Sequence, residues 1–340
     1  MGDSHVRVDT HYMGSVELYG NNGLSGLGFF GTLLLPLPPL TELERSFAVE
    51  LAPGLIGQSV AALINRSLFA SQRFGGAFPA SHAVDHALWD LQAKTMGLPL
   101  YQLLGGTRSK VRAYVSGLDF HLSLDELREF YGRAAAHGFS AFKIKVGHPD
   151  VGWELERLRV VSDAVGGAAV LMVDANEAWS PKEAVSRAQA YHAAGFNIFW
   201  LEDPCARDDV DGLAYVAQAV PFMRINTGEY VDVRGRRRLL EAGASDILNT
   251  WGSMAEMLQS ALLAREYGRP LALSNMYLEQ AVHVAVAVPE AAWLEYSIQA
   301  YDCLVEQPVQ FEAGYAIAPD LPGNGLCLSA QARSEYARPE

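Results

Sequence analysis

The sequence predicts an α/β chain in which a barrel of eight parallel strands follows an N-terminal α+β unit. Three observations carry this reading. From about Val111 onward, short β-rich apolar runs alternate with amphipathic stretches, the rhythm of repeated strand-helix units around a parallel sheet. Eight such runs can be read. Acids close three consecutive ones, 28 residues apart from Asp174 to Glu202 and 27 from Glu202 to Glu229, against roughly 30 for one unit of a (β/α)8 barrel.

Taken in order, residues 15–31 (SVELYGNNGLSGLGFFG) read as a hairpin turning at Asn21-Asn22-Gly23. Residues 79–96 read as a helix with Ala83, Ala87, Leu88 and Leu91 on one face. The barrel strands are VRAYVSG, SAFKIKVG, AAVLMVD, NIFWLE, FMRINTGE, SDILNT, PLALSN and AWLEY. A further run, PVQFEAGYAIA, and a Pro/Gly turn at 322–325 form a tail expected to return to the first unit. The expected division is a capping α+β domain over residues 1–108, the barrel over 109–298, and the returning segment over 299–340.

Half of the 340 residues are hydrophobic, enough to bury a large core. A net charge of −13 gives no basic footprint, so neither nucleic acid nor an anionic membrane is an expected partner. Local positive charge must then serve any anionic substrate. Cys205, Cys303 and Cys327 are odd in number and widely spaced, which suits a reducing compartment, and the expected location is the cytoplasm. The apolar run at Leu33–Leu40 is broken by Pro36, Pro38 and Pro39, and no stretch reads as a membrane span or a signal peptide.

In a parallel barrel all strands point one way, so residues closing their C-terminal ends converge on the face where barrel active sites lie. Asp174, Glu202 and Glu229 brought together there repel one another unless a cation sits among them. All-oxygen ligation selects a hard ion, and one that keeps positions open for water and substrate is Mg²⁺ more readily than Ca²⁺. One strand earlier, Lys143 and Lys145 lie two residues apart in Phe142-Lys-Ile-Lys-Val146 and share one side of a strand. With apolar flanks both should point inward. Mutual repulsion and an adjacent cation should lower their pKa values, leaving one able to act as a neutral base, although nearby carboxylates oppose that shift.

These residues resemble the mandelate racemase and muconate lactonizing enzyme family of the enolase superfamily. The likeness runs through Lys143-Ile-Lys145, Asp174-Ala-Asn176, Leu201-Glu202-Asp203-Pro204 and Gly228-Glu229, and through Ala87-Leu88-Trp89-Asp90-Leu91 with the following Gly97-to-Gly106 stretch. It implies a modified TIM barrel of (β/α)7β type with an α+β capping domain. It implies further that Asp174, Glu202 and Glu229 bind Mg²⁺, and that Lys145, assisted by Lys143, removes the proton α to a substrate carboxylate to give an enediolate. Such a proton is weakly acidic, and a positioned base supplies only about 10²–10⁴-fold, so charge stabilisation must carry the rest.

In the family's mandelate racemase branch, an Asp ending strand six pairs with a His ending strand seven as a second base. Asp246 is read into the first position, but Asn275 stands where the histidine would be, and an amide accepts no proton at neutral pH. Glu295 matches an eighth-strand acid that hydrogen-bonds the substrate carboxylate. His121 and His148 follow strands one and two and are candidate proton donors, ordinary exposed loop histidines being the alternative. His283 reads as structural. Gly26–Phe30 and Arg73–Gly76 are expected to close over the site as mobile segments. Gly26-Leu-Gly28-Phe-Phe-Gly31 matches a dinucleotide fingerprint only in letters, since a proline-broken run follows it. The expected activity is acid-sugar dehydration or sugar-lactone cycloisomerisation on a small carboxylate substrate, in a homo-oligomer. The alternatives are a racemase or epimerase of a 2-hydroxy or 2-amino acid, and a non-catalytic ligand-binding relative.

Overall fold

A computed structural model describes residues 2–7, 12–32, 37–69, 81–274, 277–297 and 301–336. Strands β1 (Tyr12–Tyr19) and β2 (Ser25–Thr32) form an antiparallel hairpin. Eight parallel strands follow: β3 (Lys110–Ser116), β4 (Ala141–Lys145), β5 (Val170–Asp174), β6 (Ile198–Glu202), β7 (Arg224–Thr227), β8 (Ile247–Thr250), β9 (Leu271–Leu273) and β10 (Ala291–Ser297). Each pairs with the next, and β10 pairs back onto β3, so the barrel closes. α-Helices fill the seven connections between these strands and, among the described residues, no α-helix follows β10, the (β/α)7β arrangement. No single described helix is long and apolar enough to cross a membrane.

The alternation of side chains along each strand divides the barrel into layers. Outward-pointing Phe142, Ile144 and Val146 join the core under the helices. Inward-pointing Tyr114, Ala141, Met172, Trp200, Ile247, Ala272 and Trp293 form a separate apolar plug. Its rings meet edge to face, Tyr114 on Trp200 at 5.0 Å and Trp200 on Trp293 at 6.1 Å between centroids. Two residues further along each strand, the same inward positions turn polar or charged: Ser116, Lys143, Asp174, Glu202, Asn226, Asn249 and Glu295. A hydrophobic floor therefore supports a charged layer at the C-terminal mouth. Six of the helices that leave this mouth start on side-chain caps: Ser123, Asp150, Ser180, Asp209, Asp232 and Ser253 each accept a hydrogen bond from a backbone N–H of the first turn.

The Ser81–Met96 helix ties the hairpin to the barrel. On one side it lies so close to β2 that a Cβ on Gly26 or Gly28 would stand 1.9 Å from Ala87 O or 2.0 Å from Ala83 O. Gly26–Phe30 is thus part of a packed strand, with Leu27, Phe29 and Phe30 buried, and not the mobile closing loop expected from its glycines. Arg73–Gly76, the other expected closing segment, lies outside the described residues. On its other side the helix grips the loop after β8. His86 Nε2 is 2.9 Å from Gly252 O, and Asp85 accepts from Met254 N at 2.7 Å and from the Ser67 hydroxyl at 2.5 Å.

The tail divides its contacts. The hairpin of β11 (Gln310–Glu312) and β12 (Tyr315–Ile317) adds antiparallel to the start of β3. Beyond it, Asn324 reaches the N-terminal unit: its N–H donates to buried Asp90 and its side-chain amide to Leu27 O. Asp90 also accepts from Leu27 N and from Lys94.

Candidate active site

Parallel register brings the charged layer together. Lys145 pairs with Asp174 across β4 and β5, and Asp174 with Glu202 across β5 and β6. Lys143 and Lys145 are both buried, on the inner side of β4. Lys143 Nζ lies 2.5 Å from Glu202 Oε1, 3.0 Å from Glu295 Oε1 and 3.4 Å from Asp174 Oδ2, above the Tyr114 ring. Lys145, the last residue of β4, reaches Asp174 Oδ2 at 2.5 Å. Glu229 follows the end of β7 and shares the cavity at the mouth with both lysines, Asp174 and Glu295.

The residues fit a hard divalent cation by charge and donor type. Asp174, Glu202, Glu229 and Glu295 outnumber the two ammonium groups, which leaves surplus negative charge in a mostly buried space. Burial pushes Glu229 up to about 8 against the opposing pull of Lys143, with Glu295, Asp203 and Asp174 adding to the rise. Glu202 is raised by burial and by its carboxylate neighbours, whereas Asp174 is held below the usual range by Lys145 and Lys143 in spite of its burial. Asn226 Oδ1 and Asp203 Oδ2, buried in and beside this layer, have no hydrogen-bond partner among the described residues. No three of these acids already stand in ligand geometry among the described residues. The ammonium of Lys143 takes the central position between them.

That arrangement corrects the expectation for the lysines. Burial alone would lower both, but Glu202 and Glu295 raise Lys143, and Asp174 raises Lys145. The carboxylates outweigh the mutual repulsion of the two ammonium groups.

Asp246 is a second correction. It precedes β8, with its N–H donating to Ile225 O and its carboxylate accepting from Ile225 N and facing Arg269. It therefore stands at the N-terminal end of the barrel, away from the mouth. The residue that follows β8 at the mouth is Trp251, which lines the cavity. Asn275 lies outside the described residues. Glu295 faces inward as expected and lies against Lys143. Neither His121 nor His148 lines the cavity; His121 is exposed, and His148 stacks on Trp153 at 4.4 Å. His283 is buried, 3.0 Å from Asn324 O and stacked on Tyr101, a structural position.

The sequence reading missed Asp3, Tyr230, Trp251 and Tyr277 as cavity residues. For Tyr230 and Trp251 the signal was position: each follows the end of a barrel strand. Asp3 belongs to a short segment laid over the mouth. Gly2 N donates to Leu118 O, Ser4 Oγ to Ala175 O, and His5 Nε2 lies 2.7 Å from Asn176 O.

Comparison with known proteins agrees with this geometry. Residues 126–332 match the enolase C-terminal domain-like family, and residues 4–105 the mandelate racemase/muconate lactonizing enzyme N-terminal domain. The L-talarate/galactarate dehydratase of Salmonella typhimurium is 32% identical over 84% of this chain and 74% of its own. A Mesorhizobium loti crystal structure with the provisional name mandelate racemase is 47% identical, with a TM-score of 0.94 over 99% of this chain and 90% of that one. The L-talarate dehydratase of Polaromonas sp. JS666, crystallised with Mg and L-glucarate, is 30% identical, with a TM-score of 0.81 over 95% and 91%. Curated relatives at 29–31% identity include an arabinonate dehydratase, a 3,6-anhydro-alpha-L-galactonate cycloisomerase and an L-Ala-D/L-Glu epimerase. With its modified TIM barrel, its capping domain and its carboxylate layer, the chain belongs to the mandelate racemase/muconate lactonizing enzyme family of the enolase superfamily, as a Mg²⁺-dependent enzyme.

Proposed function

We propose that the enzyme dehydrates an acid sugar or isomerises a sugar lactone, with Lys145 as the base and Asp174, Glu202 and Glu229 as the metal ligands. The observation that carries this reading is the asymmetry of the mouth. Lys145 stands at the end of β4, whereas the position following β8 holds Trp251, and no histidine lines the cavity among the described residues. Moving a proton from one face of a carbon to the other requires two groups that can each hold it. Elimination or ring opening requires one base, because water or the same lysine can deliver the second proton.

A bound Mg²⁺ would supply Lewis-acid stabilisation of the charge that grows on the substrate carboxylate. Were Asp174 and Glu202 engaged as ligands, Lys145 would lose its neutralising partner and Lys143 would keep only Glu295, so the bias toward the ammonium form would weaken at Lys145. Lys145, nearest the opening, then takes the α-proton at Nζ. Lys143, deeper and against Glu295, remains the positive charge beside the carboxylate. The apolar floor of Trp200, Trp293 and Tyr114 keeps water from approaching from below.

The test is a screen of acid sugars and their lactones with Mg²⁺ in D₂O. Deuterium should enter at one carbon with one stereochemistry and accompany a new product. Interconversion of α-epimers at rates matching the best substrate would overturn the assignment in favour of a racemase.

A further inference from the structure

The charges around the mouth are unevenly placed. In the charged layer above the apolar floor, Lys143 and Lys145 provide positive charge for one carboxylate. They are the only cationic side chains lining the cavity among the described residues. Arg207 comes near, 4.5 Å over the Tyr230 ring, but its guanidinium is held by both carboxylate oxygens of Glu177. The outer wall carries an acid instead.

That acid is Asp3, and its placement is built. Gly2 N donates to Leu118 O at 2.7 Å, and His5 Nε2 lies 2.7 Å from Asn176 O, so the segment is fixed to loops on two barrel strands. Within the segment, Asp3 N donates to Val6 O, and Asp3 Oδ1 accepts from His5 N at 2.8 Å and from Val6 N at 2.9 Å. One carboxylate oxygen thus fixes the turn, and Oδ2 accepts no hydrogen bond among the described residues. Tyr230, Trp251 and Tyr277 share the cavity with it, flat amphipathic surfaces suited to a carbon chain bearing hydroxyls.

We propose that Asp3 is a specificity-determining residue: Oδ2 accepts a hydrogen bond from a hydroxyl at the far end of the substrate and rejects a second carboxylate there, making the substrate a polyhydroxy monocarboxylic acid and not a diacid. The proposal rests on the reading of this site as one for acid sugars. The physical reason is an asymmetry of satisfaction. A hydroxyl donates to a carboxylate, whereas a carboxylate has no proton to donate and adds like charge at close range.

The experiment titrates the Mg²⁺-loaded enzyme calorimetrically with matched pairs, D-gluconate against D-glucarate and D-galactonate against galactarate, and measures turnover of the same four acids. The wild type should prefer the monoacid of at least one pair by about tenfold or more, a preference that shrinks as salt screens the repulsion. Asp3→Asn keeps an oxygen for His5 N and Val6 N, and it should cut that preference to below about threefold by tightening the diacid. Asp3→Ser serves as a second variant, with circular dichroism as the check on folding. Equal or tighter diacid binding by the wild type overturns the proposal, as does a ratio unchanged in both variants. Selective binding without turnover of any of the four leaves Asp3 in its role and removes the catalytic reading. Turnover with a ratio indifferent to residue 3 does the reverse, and failure of all four acids to bind removes both.

Discussion

Lys145 and Lys143 lie two residues apart on one strand, yet their surroundings assign them different tasks. Among the described residues Lys145 holds Asp174 alone, whereas Lys143 shares Asp174 and also holds Glu202 and Glu295. Lys145→Ala should therefore lose kcat by at least about 10²-fold with little change in Mg²⁺ affinity, measured by steady-state kinetics beside metal titration. Asp174→Asn or Glu202→Gln should instead weaken Mg²⁺ binding while the circular dichroism spectrum is retained, because the core is built from the outward-facing residues of the strands. An unchanged metal affinity in both variants would remove these acids from the ligand set. The lysines, Asp174 and Glu202 were legible from sequence because each sits at a fixed phase on a strand with apolar neighbours, and Glu229 because it repeats their spacing just after β7. Asp246 was misplaced because it was matched by likeness to a family position, although in the SDILNT run it stands at the start and not at the end. Trp251 and Tyr230 were passed over because an aromatic beside an apolar run looks like core.

The Ser81–Met96 helix shows what an element decides beyond its own hydrogen bonds. It was readable as a helix from its alanines and leucines, but its two contact surfaces were not, since they depend on what approaches from elsewhere. Against β2 the contact depends on missing side chains. Gly28→Ala places a methyl within 2.0 Å of Ala83 O, and overpacking against backbone should cost about 1–3 kcal/mol or more in chemical denaturation. Wild-type stability in that variant would mean that the hairpin and helix separate freely. Against the loop after β8 the contact is polar, and burial pushes His86 down to about 4. A buried imidazole with a depressed pKa favours the neutral form, so its contribution is intact above about pH 6.5 and is lost as the unfolded chain takes up a proton between 6.5 and 4. His86→Gln lacks that term. Its stability relative to wild type should improve by about 2–3 kcal/mol between pH 7.5 and 4.5, measured by paired denaturant titrations. A pH-independent difference would show that His86 ionises in the fold.

For the whole molecule, the carboxylate layer makes metal and stability inseparable. Chelation should abolish turnover, and adding Mg²⁺ to stripped protein should raise Tm in a concentration-dependent way, because a ligand bound only by the folded state stabilises it by mass action. Full activity in excess EDTA would contradict the metal assignment. The order of the barrel strands and the hairpin were visible in the sequence, whereas the closure of the molecule was not, because it depends on single polar contacts between residues remote in the chain. The clearest is Asp90, a buried carboxylate whose N–H donors include Asn324, 234 positions later. A ribosome delivers these two groups at different times. At about 5–20 residues per second, Asp90 waits roughly 10–50 seconds for its last partner. Until then the nascent N-terminal unit carries a carboxylate that it can neither bury at full value nor leave in water without opening its packing. The N-terminal unit, although made first, is therefore finished last, and a chain released short of Asn324 should be taken by proteases with its barrel complete and its N-terminal unit unfinished.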